Sequence, residues 1–151
     1  KLLAEKDVTV AVYEDLTGGL VAERLQQASP AQFVEGGIGN RLTSMRRLLA
    51  LSRRPDKVDE LLGDSALLTD ELAWAVRIQA DSDLGLALHA VADPEERVEN
   101  LARGQTFVSI TDGKGFRSRS YAYGGRGRPD RTRMSLNAID LVRTALLEGI
   151  E

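Results

Sequence analysis

Glu14 and Asp15, side by side at the end of an apolar run, and a lone histidine, His89, are side chains on which catalysis could draw, while serine–lysine chemistry also stays open to this composition. The chain has no cysteine, so thiol nucleophiles, thiolate zinc sites and disulfide frameworks are excluded. Any serine–histidine–aspartate triad must use His89, and a histidine-rich metal site is impossible. Glu14, Asp15, His89 and Asp93, if neighbouring strand ends bring them together, would make an oxygen-rich site with one nitrogen, able to hold Mg²⁺ or Mn²⁺. Alternatively, two of the carboxylates would act as acid and base. The simpler reading, which we favour, is structural. Glu14 and Asp15 then cap the following helix or pair with Arg41 and Arg46, carboxylate to guanidinium in bidentate fashion. His89 alone reads as a satisfied strand residue. No metal and no cofactor is expected.

These residues need elements to hold them. Asp7 to Tyr13 is β-branched and apolar on both faces, the pattern of a buried central strand. Helical spacing follows from Gly18 to Ala28, then a short extended segment from Phe33 to Ile38, then a helix from Leu42 to Leu51. Ser52 to Asp59 reads as a polar connection. Thr69 has the chemistry of an N-cap, with Asp70 and Glu71 in the first turn. It opens a helix to about Ala80 that buries Leu72, Val76, Trp74 and Ile78. Leu84, Leu86 and Leu88 alternate with smaller residues in a further strand. Thr106–Thr111 and Phe116–Tyr123 flank Asp112-Gly113-Lys114-Gly115, a hairpin turn. The last helix, about Asp130 to Leu147, sets Leu136, Ile139, Val142 and Leu146 on one stripe. The expected fold is α/β: a single three-layer α/β/α domain over residues 1–151, its mixed, mostly parallel sheet ending in a late antiparallel hairpin.

Open α/β sheets bind ligands beyond the carboxyl ends of their strands. The first such exit is Tyr13-Glu14-Asp15-Leu16-Thr17-Gly18-Gly19, running straight into a helix. Its glycines and Thr17 suit a phosphate or carboxylate held by backbone N–H groups. A tight turn with Asp15 or Thr17 as cap fits the same residues.

Taken with its surroundings, this segment resembles the C-terminal domain of the CinA (competence/damage-inducible) family, whose active members are nicotinamide-mononucleotide amidohydrolases. That family has A-E-S-x-T-G-G after its first strand, where this chain has Tyr13 to Gly19. Its F-x-G-G-V-x-x-Y-S-x-x-x-K-x-x-L-L-like stretch corresponds to Phe33 through Leu49, including Gly36, Gly37 and Asn40. Its A-D-x-G-L-A-x-T-G-x-A-G-P stretch corresponds to Ala80 through Pro94, and its V-G-x-V-x-I-A strand to Arg103-Gly104-Gln105-Thr106-Phe107-Val108-Ser109. The correspondence covers essentially the whole chain in one order.

The departures fall on the chemistry. The resemblance puts the family's nucleophilic serine at Asp15, its lysine base at Arg46 and its tyrosine at Arg41. A serine–lysine device needs a hydroxyl to attack and an amine that can shed its proton. Arginine, with a pKa above about 12, stays protonated. The T-G-x-A-G-P loop has become His89-Ala90-Val91-Ala92-Asp93-Pro94, replacing two glycines. Glu14, Thr17, Gly18, Gly19, Gly36, Gly37, Pro94 and Gly104 are retained. The resemblance thus implies a degenerate member without amidohydrolase activity, a scaffold that binds a ligand or partner. Its candidate ligand contacts are Glu14, Asp15, Thr17, Gly18, Gly19, Gly37, Arg41, Arg46, His89, Asp93 and Gly104. The alternative is amide hydrolysis at a remodelled, metal-assisted site.

Two arginine groups remain, one from Arg41 to Lys57 and one from Arg117 to Arg133, where Arg126 or Arg128 stands only loosely for the arginine of a family G-D-R element. Net charge is −3 and aromatic content 5%, so solvated, acid-balanced arginines are a better reading than nucleic-acid binding. A small nucleotide-like or anionic ligand is the expected partner. No apolar run reaches the roughly 20 residues of a membrane span, and without a targeting signal the expected location is the cytoplasm. The non-Met start suggests a trimmed or partly disordered N-terminus, and the resemblance implies a homo-oligomer.

Overall fold

Alternation decides the architecture. In strand β1 (Val10–Glu14) every residue is buried, as a strand covered on both faces requires. Val10 and Val12 face one hydrophobic cluster, while Ala11 and Tyr13 face another. The structure, a computed structural model, describes residues 1–39, 41–98 and 101–150, without the side chains of 94–98 and 101–102. Asn40 and the Pro94 side chain therefore lie outside the described residues.

The remaining strands are β2 (Phe33–Ile38), β3 (Leu84–Val98), β4 (Leu101–Thr111) and β5 (Phe116–Tyr121). They form one five-stranded sheet in the order β2-β1-β3-β4-β5. β1 runs parallel to β2 and β3, and β4 is antiparallel to both β3 and β5. One face is covered by α1 (Leu2–Lys6), α2 (Leu20–Ala28) and α6 (Arg128–Glu148), around Val21, Leu86, Ile110, Met134 and Leu141. The other is covered by α3 (Leu42–Leu49), α4 (Val58–Leu62) and α5 (Ser65–Ala80), around Leu49, Leu61, Leu68 and Leu72. The result is a single mixed α/β domain with a parallel core and an antiparallel end. Helix α5 lies unusually close to the sheet at Gly85, where an added Cβ would meet the Ala73 carbonyl oxygen at 2.1 Å. Only glycine fits there.

Several sequence expectations shift. Asp7 does not begin a strand. It adopts the left-handed conformation at the end of α1 (φ 52°), and its N–H bonds back to Ala4. The one-turn helices α1 and α4 carry too few periodic positions to read from sequence. Helix α5 starts a turn before Thr69, at the N-cap Asp64, whose carboxylate accepts the Leu67 N–H. Thr69 is instead buried inside the helix, its hydroxyl donating to the Ser65 carbonyl. Ile78 is exposed. In α6 the core-facing side chains are Met134, Ala138, Leu141, Val142 and Ala145, and Leu136 of the expected stripe faces solvent.

Candidate functional site

The sheet register assembles the site. Glu14 at the end of β1 pairs with Ile38 on one side and Leu88 on the other. The next residue of each chain segment, Asp15, Gly39 and His89, therefore meets its counterparts at the carboxyl edge of the parallel core. There they line a cleft of about 320 Å³ with Tyr13, Arg41, Arg126 and an apolar wall of Leu42, Met45, Leu62 and Leu68.

Within it Asp15 and His89 form a fixed pair. Asp15 Oδ2 lies 2.6 Å from His89 Nδ1, and Oδ1 accepts the Ala90 N–H at 3.0 Å and its neighbour Leu16 N–H at 2.7 Å. An ionised carboxylate only accepts, so Nδ1 carries a proton, and in the neutral imidazole the lone pair is on Nε2. The imidazole stacks on Phe107 of β4, with ring centroids 6.4 Å apart. Beside the pair, the Tyr13 hydroxyl is buried and has no hydrogen-bond partner among the described residues. Burial and the neighbouring Asp15 charge push its pKa upward, so it stays a neutral phenol. Arg41 and Arg126 are exposed at the rim, and neither is ion-paired among the described residues.

Glu14 points the opposite way and is fully engaged. Its Oε1 accepts the Thr17 hydroxyl (2.6 Å) and the Gly19 and Val21 N–H groups (2.9 and 3.1 Å), and its Oε2 accepts the Ala22 N–H (2.8 Å). The Gly18 and Leu20 N–H groups donate to the carbonyls of Asp15 and Thr17. Every backbone donor from Gly18 to Ala22 is thus spent inside the protein, which corrects the expectation of a phosphate cradle on this turn. The turn itself needs Gly18 and Gly19, at φ 64° and 102°. The capping alternative holds for Glu14 rather than for Asp15 or Thr17.

The anticipated Asp15–Arg46 pair does not form. Arg46 turns outward to Asp59 at 2.7 Å, and the acid's partner is His89. Of the sequence candidates, then, Asp15, His89 and Arg41 converge. Thr17, Gly18 and Gly19 line a separate hollow with Arg128 and Arg131. Gly37 lies on the edge strand, lining another hollow beside Glu35 and Arg47. Asp93 stands opposite Arg103 and Gly104 opposite Ala92 on the β3–β4 ladder, away from the cleft lining. Glu14, Asp15, His89 and Asp93 therefore do not share one site. Among the described residues no group of three or more His, Asp or Glu side chains is placed to hold a metal ion.

Sequence reasoning missed Tyr13 as a cleft residue, although its place one residue before the strand end was the available signal. It also missed Arg53, taken for a solvated charge. Arg53 forms an ion pair with the fully buried Glu71 and lies over the rings of Trp74 and Phe116, 5.4 and 4.4 Å from their centroids.

Comparisons with known proteins agree with this architecture. A family model described as the CinA C-terminal domain matches residues 1–146. A putative competence-damage inducible protein of Streptococcus thermophilus is 33% identical over 97% of this chain, which spans 35% of that relative. A CinA-like protein of Geobacter sulfurreducens is 29% identical over 97% of the chain and 36% of its own length. The chain thus covers little more than a third of these curated relatives. Among solved structures, the competence damage-inducible protein A of Klebsiella pneumoniae superposes with a TM-score of 0.80 at 16% identity, covering 97% of this chain and 91% of that one. A CinA superfamily protein from Enterobacter cloacae gives 0.78 at 19% identity, covering 96% and 86%. No helix among the described residues is long and apolar enough to cross a membrane. With the family model matching residues 1–146, the chain belongs to the CinA family, as a CinA C-terminal domain.

Proposed function

We propose that this domain binds a small anionic, nucleotide-like ligand in the cleft between β1, β3 and α3, and lacks the family's nicotinamide-nucleotide amidohydrolase activity. The observation that carries this reading is the state of Asp15. The resemblance puts the serine nucleophile at this position, and here a carboxylate stands there, tied by both oxygens to His89, Ala90 and Leu16. The position of the lysine base holds Arg46, which cannot accept a proton and reaches Asp59 instead. An acyl-enzyme route through these two positions has neither nucleophile nor base. The cleft itself persists, with two arginines at its rim to meet negative charge.

The test is incubation of the pure domain with nicotinamide mononucleotide, measuring ammonia release alongside calorimetric binding. Binding without ammonia above the blank is expected. Robust ammonia release that disappears in Asp15→Ala would overturn the reading.

A further inference from the structure

The Asp15–His89 pair has the geometry of a working base rather than of a simple plug. We infer that His89 Nε2 is a general base for water in this cleft, oriented by Asp15, and that the site hydrolyses a small anionic carboxylic ester by direct attack of water. This rests on the cleft being the ligand site proposed above.

Four observations carry it. Asp15 is held by two backbone N–H groups, so its remaining oxygen is fixed on Nδ1 at 2.6 Å. That bond selects the tautomer of the neutral imidazole in which Nε2 carries the lone pair, and no hydrogen bond among the described residues engages Nε2. His89 is a lining residue of the cleft, and its ring is steadied by Phe107. Tyr13 lines the same cleft with its hydroxyl buried, alongside the apolar side chains of Leu42, Met45, Leu62 and Leu68, and Arg41 and Arg126 stand at the rim. Such a site needs no protein nucleophile. A water gives one proton to Nε2 while its oxygen bonds to the acyl carbon and the carbonyl π electrons move to oxygen. The tetrahedral intermediate then re-forms the carbonyl, breaks the bond to the alcohol oxygen and returns the proton from Nε2 to the departing alkoxide. The products are a carboxylic acid and an alcohol, and the base is regenerated. An ester asks least of this arrangement: one base for water, one proton for the leaving group. The arginines select for negative charge on the ester. His89 is the catalytic residue and Asp15 a positioning residue.

The experiment compares para-nitrophenyl hydrogen succinate, which is anionic, with neutral para-nitrophenyl acetate. We expect the folded domain to release nitrophenol from the succinate faster than equimolar free imidazole does, and faster than from the acetate. His89→Gly should lose about 100-fold or more and regain rate when imidazole is added. Asp15→Asn should lower kcat at unchanged KM and abolish the downfield Nδ1–H proton resonance of the pair, which a merely structural role would not do. Arg41→Gln should raise KM for the succinate alone. A wild-type rate no greater than that of imidazole overturns the inference without any variant, as does full activity in a folded His89→Gly. Nucleotide binding without ester turnover overturns the base and leaves the ligand reading standing. Equal turnover of both esters without anion binding removes the ligand reading and the anionic substrate class together.

Discussion

Glu14 and Asp15 are neighbours of like charge, yet the end of β1 sends them into opposite environments. Glu14 lies beneath α2, where four donors from Thr17, Gly19, Val21 and Ala22 converge on it. Asp15 faces the cleft and shares its charge with one imidazole and two N–H groups. Successive residues leave a strand on opposite faces, so a one-residue offset separates a helix anchor from a cleft residue. The same polar chemistry is structural where every donor and acceptor is spent. Where one atom, here His89 Nε2, has no hydrogen bond among the described residues, the network is left incomplete.

The largest expected effect falls on the anchor. Glu14→Ala should destabilise the domain by about 4 kcal/mol, because four donors lose a buried carboxylate at once. Glu14→Gln should cost roughly half of that, since the amide oxygen can still serve three donors while its NH₂ confronts the Ala22 N–H. Denaturant midpoints at constant slope would measure both. A shift below 1 kcal/mol for the alanine variant would break the distinction between anchor and cleft.

A second buried acid sharpens it. Glu71 accepts the Arg53 N–H at 2.8 Å and its guanidinium, but Arg53 is partly exposed and can recover water. Glu71→Ala should therefore cost less than Glu14→Ala, about 2 kcal/mol in the same assay.

Much of this contrast could be read from sequence and some could not. Strand β2 matches its expected bounds to the residue, and the turn at Asp112–Gly115 was legible because glycine turns are a local signal. β3 was legible at its start, Leu84, but continues to Val98, since pairing with β4 extends it past the alternating leucines. The convergence of Asp15 with His89 was posed as a possibility but could not be settled. It depends on β1 and β3 lying side by side in register, a pairing between residues 74 apart in sequence. The direction Glu14 points was equally hidden, because both acids fit a cap and only the strand's phase selects one. Arg46 misled for the opposite reason. A long exposed side chain takes whichever acid is near, and Asp59 is nearer.

At the cleft, stability should respond weakly and chemistry strongly. Asp15→Asn keeps an amide oxygen for Ala90 and Leu16 and turns its NH₂ toward His89 Nδ1, which then accepts. We expect a loss of about 1 kcal/mol and inversion of the imidazole tautomer, read from the ¹⁵N shifts of the ring. A folded variant whose tautomer does not invert would show that Asp15 does not orient His89.

The smallest effect supplies the solvated reference for both. Asp140 on α6 is held below the usual carboxylate range chiefly by its hydrogen bond from Arg119, at 2.9 Å, with a further bond from Arg143. A carboxyl lowered on folding stabilises above its unfolded pKa, about 3.9, and that stability disappears as pH falls through the folded value. Both partners are substantially exposed, so water and salt screen the pair, and Asp140→Asn should cost about 0.5 kcal/mol at pH 7. The difference between wild type and variant should shrink below about pH 4 and vanish once the folded carboxyl is protonated. It should also diminish in high salt, whereas the Glu14 penalty should persist, since that carboxylate is buried and its partners are neutral dipoles, three backbone N–H groups and the Thr17 hydroxyl. Paired melts at pH 7 and pH 3, with and without salt, test this directly. An Asp140 penalty as large and salt-resistant as that of Glu14 would mean that burial is not what separates the anchor from the other acids.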